Sequence, residues 1–181
     1  MMEIVQIIDY DAMGADWLSI AVGCAPFADM MWFRIKNRPA ELIYNEAKKL
    51  REALPQARLV LSAREDIAAL LGYNGVQLGA STVKEGIDES LAVGYSAHSI
   101  DEIESNQADY YMLSPLFHTV KDYEVKPLGA VDVSALEKDV YALGGIGCAN
   151  VCQLKSKGYK GIAGISFYRE IQALKEIVSR L

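Results

Sequence analysis

Short apolar runs rich in β-branched and aromatic residues alternate along this chain with segments of helical period. The runs are Ile4–Ile8, Met30–Ile35, Leu59–Leu61, Val76–Leu78, Leu91–Gly94, Tyr110–Leu113, Val140–Leu143 and Ile162–Ile165. Helical patterning falls between them at Ala15–Cys24, Ala40–Ala53, Glu65–Leu71, Val83–Glu85, Ile100–Ser105, Val133–Leu136, Ala149–Ser156 and Tyr168–Leu181. Strands that alternate with helices form parallel sheets, because each crossover returns the chain to the same edge. Runs that are apolar nearly throughout are those of strands covered on both faces. About eight such units predict an α/β fold, a (β/α)8 TIM barrel made of one short domain over residues 1–181. The usual barrel has about 250 residues, so closure here requires minimal loops and helices. An open, doubly wound sheet is the other arrangement that fits the pattern.

Two details sharpen this reading. Pro39 precedes the second helical segment, with Glu41 early and Lys48, Lys49 and Arg51 late, which complements the helix dipole. Gly72-Tyr73-Asn74-Gly75-Val76 is echoed by Gly158-Tyr159-Lys160-Gly161-Ile162, each leading from a helix end into a strand. Two similar turns, with glycine at the helix C-terminus, account for the echo.

Composition narrows the class. Of 181 residues 51% are hydrophobic, enough for a sizeable core, yet charges break every apolar stretch short of a membrane span. Residues Met1 to Tyr10 lack the basic start of a secretory signal, so a cytoplasmic location is expected. The net charge of −6 disfavours nucleic acid and anionic membranes as partners, both of which favour a broad basic face. It leaves room for a small anionic ligand, which needs only a few local cations and amides. A homo-oligomer is compatible with the composition. Three cysteines, Cys24, Cys148 and Cys152, give no disulfide framework, and a metal site at Cys148 and Cys152 would need two further ligands with no evident source.

In a barrel the loops at the C-terminal ends of the strands converge on one mouth. Those strand ends carry Asp9, Arg34, Lys36, Ser62, Arg64, Gln77, Ser96, His98, Ser114, His118, Thr119, Lys121, Gly144, Gly145 and Ser166. Alternation puts Arg34 and Lys36 on the same strand face. Two unpaired cations facing a barrel interior would be costly, which predicts an anion between them unless Asp9 or rim water serves instead. Gly144 and Gly145 allow close backbone approach after the seventh strand, and Ser166 begins the segment after the eighth, the two loops where barrels often hold phosphate. Ser62, Gln77, Ser96, Thr119 and Lys121 complete the expected substrate-binding set. Residues 114–129 form the longest irregular stretch, a candidate lid. His118 lies in it, and is the proton-carrying candidate; Lys36 is the second catalytic candidate. His98 precedes Ser99 and Glu102, a capping-box pattern that assigns it a structural place.

These residues resemble the thiamin phosphate synthase/TenI family of small (β/α)8 barrels, over roughly Glu3 to Ile177. The resemblance rests on seven pieces in order. They are Trp32-Phe33-Arg34-Ile35-Lys36, Arg64-Glu65-Asp66-Ile67-Ala68, Gly75-Val76-Gln77-Leu78-Gly79, Tyr95-Ser96-Ala97-His98-Ser99, Ser114-Pro115-Leu116-Phe117-His118-Thr119, Ala142-Leu143-Gly144-Gly145-Ile146 and Gly161-Ile162-Ala163-Gly164-Ile165-Ser166. It implies a small phosphorylated thiazole or thiamin-related ligand, and for a synthase also a pyrimidine pyrophosphate with Mg²⁺. By the same resemblance Arg34 and Lys36 would meet the pyrimidine-side anion, and Gly144, Gly145 and Ser166 the thiazole phosphate.

The departures from the synthase pattern are as informative. Ser62-Ala63 stands where it has Asn-Asp, Gln77 where it has His, and Ala80-Ser81 where it has Gln-Asp. Both Mg²⁺-binding carboxylates of that pattern are therefore replaced, and Mg²⁺ favours such ligands. The TenI branch is similar in lacking the metal site. The resemblance therefore points first to a tautomerase acting on a carboxylated thiazole phosphate by proton transfer, with no cofactor. A synthase with an altered metal site is the alternative, with Mg²⁺ only in that case, and a non-catalytic binding protein is the third reading. The TenI histidine falls at Pro115, three residues before His118.

Overall fold

The computed structural model describes residues 2–79, 86–119 and 126–181. Eight parallel strands close into a barrel in sequence order. They are β1 (Glu3–Asp9), β2 (Met30–Arg34), β3 (Leu59–Ser62), β4 (Gly75–Leu78), β5 (Ala92–Ala97), β6 (Tyr110–Leu113), β7 (Val140–Leu143) and β8 (Gly161–Gly164). Closure is made by β1 against β8, with Ile4 opposite Ile162 and Gln6 opposite Gly164. The open-sheet alternative is thereby excluded.

The outer layer is thinner than the periodicity predicts. The first crossover divides into α1 (Tyr10–Met13), a 3₁₀ turn at Gly14–Asp16 and α2 (Trp17–Cys24). Then come α3 (Ala40–Ala53), α4 (Glu65–Leu70), α5 (Ile100–Ser105) and α6 (Ile171–Val178). The expected helices after β6 and β7 are only 3₁₀ turns, Ser134–Leu136 and Val151–Leu154. A further turn, Ser166–Arg169, precedes α6, so the final helix starts at Ile171 rather than Tyr168. The segment expected at Val83–Glu85 lies outside the described residues. This economy is how 181 residues complete a barrel. Among the described residues no helix is long and apolar enough to cross a membrane.

Strand alternation sorts the core into two shells. Ile4, Ile8, Met31, Phe33, Leu59 and Leu61 pack outward beneath the helices, where Trp17 stacks on Phe33 at 4.8 Å. Val5, Ile7, Met30, Trp32, Val60, Tyr110, Met112, Tyr141 and Ala163 fill the interior. At the N-terminal end Tyr141 Oη donates to Glu3 Oε2 at 2.6 Å, Arg58 pairs with Glu3, and Tyr110 meets Tyr141 edge to face. Burial, reinforced by the Glu3 contact, keeps the Tyr141 phenol protonated far above the usual tyrosine range.

The repeated Gly-Tyr turns do the same work twice. Tyr73 Oη donates to the Ala47 carbonyl at 2.9 Å and Tyr159 Oη to the Val131 carbonyl at 3.0 Å. Each phenol anchors a helix-to-strand turn to the preceding crossover.

Across the barrel interior a lateral row runs Gln77–Gly94–Tyr110. A methyl group at Gly94 would sit 2.2 Å from Gln77 Oε1 and 2.3 Å from Tyr110 Cζ. The Tyr110 ring is buried and packs edge to face on Tyr141, which resists its displacement. Gly94→Ala should therefore destabilise the barrel by about 2 kcal/mol, in the range for overpacked cores. A urea midpoint unchanged from wild type would show that the interior can relax around the added carbon.

Candidate functional site

The C-terminal mouth is a cleft of two lobes with a common wall. One lobe, about 490 Å³, is lined by Thr119, Gly144, Gly145, Ser166, Tyr168 and Arg169 among others. The second, about 620 Å³, is lined by Lys36, Arg38, Ser62, Arg64, Gln77, Ser96 and His98. Trp32, Arg34, Ser114 and Leu143 line both. Of the expected site residues, the mouth brings together Arg34, Lys36, Ser62, Gln77, Ser96, Thr119, Gly144, Gly145 and Ser166.

The common wall is built from strand ends. Arg34, last in β2, donates through Nη1 to Asp9, last in β1. The two residues are register partners, so closure of the β1–β2 ladder presents the carboxylate to the guanidinium. Asp9 is almost wholly buried and also caps α1 by accepting from the Ala12 amide at 3.0 Å. Arg34 is thus neutralised by a protein carboxylate rather than left for an anion alone. Lys36 lies beyond the strand end and is exposed. Its ammonium titrates below the usual lysine range, mainly through partial burial and then through the like charge of Arg34, with Asp9 opposing.

The floor of the larger lobe is neutral and polar. The Trp32 indole donates to Ser62 Oγ at 2.8 Å, and Gln77 Nε2 donates to Ser96 Oγ at 3.0 Å. Ser62 and Gln77 are buried, and Gln77 Oε1 has no hydrogen-bond partner among the described residues, leaving one acceptor in the row. Arg64 and Arg38 stand at the rim, paired with Asp66 and Asp11 respectively. Such exposed pairs are worth at most about 1 kcal/mol, so both guanidiniums can be recruited by a ligand.

The glycine lobe depends on how two loops are knitted. The Leu116 amide donates to the Leu143 carbonyl and the Phe117 amide to the Gly144 carbonyl, both at 3.0 Å. Gly144 and Gly145 have φ of +98° and +66°. A side chain at Gly145 would meet the His118 carbonyl at 2.4 Å, so both backbone sign and contact require glycine. The described ends of the expected lid are fastened: the Leu128 amide reaches the Pro115 carbonyl and the Gly129 amide the Leu116 carbonyl. Lys121 lies outside the described residues.

The two histidines exchange places relative to expectation. His118 is exposed and its side chain lines neither lobe. His98 lines the larger lobe, and its Nδ1 donates to the Ser114 carbonyl at 2.9 Å. A carbonyl only accepts, so this contact puts the proton on Nδ1 and leaves Nε2 as an acceptor. The capping pattern also forms, with Ser99 Oγ accepting from the Glu102 amide and Glu102 reaching back to the His98 amide. The His98 ring therefore points into the mouth while its backbone serves the helix. Trp32 and Arg169 are further mouth residues outside the expected set. Trp32 reads as core from its apolar neighbours, and Arg169 as the outer face of a helix.

The donor set does not fit Mg²⁺. No carboxylate lines either lobe among the described residues, and Asp9 is committed to Arg34. No group of three or more His, Cys, Asp or Glu side chains is placed to hold a metal among the described residues. Cys148 lies outside the 3₁₀ turn that carries Cys152, so the two do not share a helix face.

Comparison with known proteins matches this geometry to a family. The sequence pattern described as Thiamine monophosphate synthase covers residues 7–167. A protein of Aquifex aeolicus, provisionally named thiamine-phosphate synthase 2, is 32% identical over 154 residues, spanning 78% of this chain and 83% of its own. The thiamine-phosphate synthase of Pyrococcus horikoshii is 31% identical over 152 residues, 77% of this chain and 73% of the relative. The solved thiamine phosphate pyrophosphorylase from Pyrococcus furiosus superimposes with a TM-score of 0.84 at 24% identity, covering 99% and 96% of the two chains. With nearly its whole length matched by one pattern and its barrel by one architecture, the chain belongs to the thiamine monophosphate synthase family.

Proposed function

We propose that this protein is a transferase of the synthase type, joining a phosphorylated thiazole to a pyrimidine carried as its pyrophosphate ester. The observation that carries the reading is the two-lobed mouth with Arg34 in the common wall. A reaction between two ligands needs adjoining compartments, and the synthase names of its relatives agree. The thiazole phosphate belongs in the glycine lobe and the pyrimidine pyrophosphate in the larger, basic one. This reverses the order that the sequence suggests, because His118, the proton carrier of the tautomerase reading, lines neither lobe.

The residues divide the work by charge. Trp32, fixed by Ser62, forms a flat wall between the ligands. Gln77 and Ser96 supply neutral hydrogen-bonding groups to the heterocycle. Arg34, Lys36 and Arg64 neutralise charge that builds on the departing pyrophosphate, Arg34 being held in place by Asp9. The thiazole nitrogen attacks the exocyclic carbon of the pyrimidine, and the carbon–oxygen bond to pyrophosphate breaks. No step is assigned to Mg²⁺, since the described residues do not provide its ligands.

One observation favours a second reading. A mouth without lining carboxylates suits proton transfer on a single thiazole phosphate, and His98 would then be the carrier. Incubating the protein with both substrates, with and without Mg²⁺ or Mn²⁺, decides between them. The coupled thiamin phosphate product should form only when both substrates are present. Absence of product under every metal condition, together with isomerisation of the carboxylated thiazole phosphate, would replace the first reading by the second.

Lys36 gives a pH test. Because its proton leaves below the usual lysine range, pyrophosphate affinity should begin to fall at lower pH than an ordinary lysine would allow. Lys36→Arg should remove this alkaline decline, since arginine stays charged. Titration calorimetry across the alkaline range measures it; identical profiles for both proteins would take Lys36 out of the anion site.

A further inference from the structure

Among the described residues Arg169 is a cation without a counter-charge. It closes the 3₁₀ turn Ser166–Arg169 and lines the glycine lobe beside Ser166, Gly144 and Gly145. Among the described residues its one partner is its neighbour: Nε donates to Tyr168 Oη at 3.1 Å, and the guanidinium lies 5.4 Å from the Tyr168 ring centroid. No carboxylate among the described residues pairs with it. Arg169 also borders an outer groove that Glu170 and Glu176 line, yet neither carboxylate bonds to it. Glu170 is turned the other way and accepts from the Cys148 amide at 3.2 Å.

The position adds positive potential to the lobe. Arg169 stands two residues ahead of α6, whose N-terminal end carries the positive pole of the helix dipole. A positive side chain on this rim, beside a cavity with no lining carboxylate among the described residues, is placed to meet an anion that enters it.

We propose that Arg169, steadied by Tyr168, binds the phosphate monoester of the ligand in the glycine lobe and so sets the lobe's preference for phosphorylated over unphosphorylated thiazole. With Nε held by Tyr168, the Nη groups remain to grip two phosphate oxygens as a fork, a geometry a lysine cannot copy. The anion is thereby held between Arg169 on the outer side and Arg34 on the common wall. This assignment rests on the thiazole phosphate reading above for the identity of the ligand, though not for its charge.

The test is calorimetry on the full chain with three probes: thiazole phosphate, the corresponding unphosphorylated thiazole alcohol, and inorganic phosphate. Arg169→Gln should weaken thiazole phosphate roughly 10- to 100-fold, the scale of losing a charge-assisted hydrogen-bond pair. It should leave the alcohol unchanged. Arg169→Lys should recover only part of the loss, and Tyr168→Phe should weaken the phosphate modestly without touching the alcohol. Arg169 is exposed, so these variants should melt as the wild type does. If Arg169→Gln binds thiazole phosphate and inorganic phosphate as tightly as wild type, or weakens the alcohol equally, the proposal is overturned. If the wild type binds inorganic phosphate through Arg169 but not thiazole phosphate, the anion site stands and the substrate reading falls.

Discussion

The ion pair between Asp9 and Arg34 is the contact on which the mouth depends. It joins the last residues of two adjacent strands, so it forms only when β1 and β2 are in the observed register. Asp9 is buried and Arg34 about one-third exposed, which makes the pair a boundary between dry interior and wet cleft. Removing one member of a fully buried pair costs about 3–5 kcal/mol, and less where water reaches one side. The pair also accounts for the shape of the cleft. The anchored guanidinium lines both compartments together with Trp32, Ser114 and Leu143, and so forms part of the wall between them.

A second constraint comes from the seam between the loops after β6 and β7. The Leu116 and Phe117 amides of the first donate to the Leu143 and Gly144 carbonyls leading into the second, and the glycines of the second loop are shaped by the backbone of the first. The glycine-lined compartment is therefore held by main chain rather than by side chain. That support is compatible with its position over the thin side of the barrel, where single 3₁₀ turns replace helices.

The strands were legible in the sequence because parallel strands covered on both faces must be apolar nearly throughout. All eight runs became strands, with ends displaced by up to three residues, as at Ile35 and Ile165 beyond β2 and β8, and at Ala97, where β5 outruns Gly94. The outer layer was less legible. Three or four residues of helical period do not distinguish one 3₁₀ turn from a short α-helix, since spacing of three serves both. That ambiguity hid Arg169, which a regular helix from Tyr168 would have turned outward. The site's residue types were readable, while their partners were not. Arg34 finds Asp9 from 25 positions away, and His98 finds the Ser114 carbonyl from 16. Such distant contacts decide which histidine faces the cleft, and no local spacing encodes them. Gln77 and Ser62 were legible as departures from a metal-binding pattern, and the structure adds that they satisfy their neighbours rather than stand as vacant ligands.

The aromatic stopper of Tyr110 and Tyr141 over Glu3 has a consequence for traffic. A vessel sealed at its base has one doorway, so everything that enters must leave by the same route. Trp32, Tyr110, Met112 and Tyr141 plug the axis below the mouth, so the barrel offers a basin and not a tunnel.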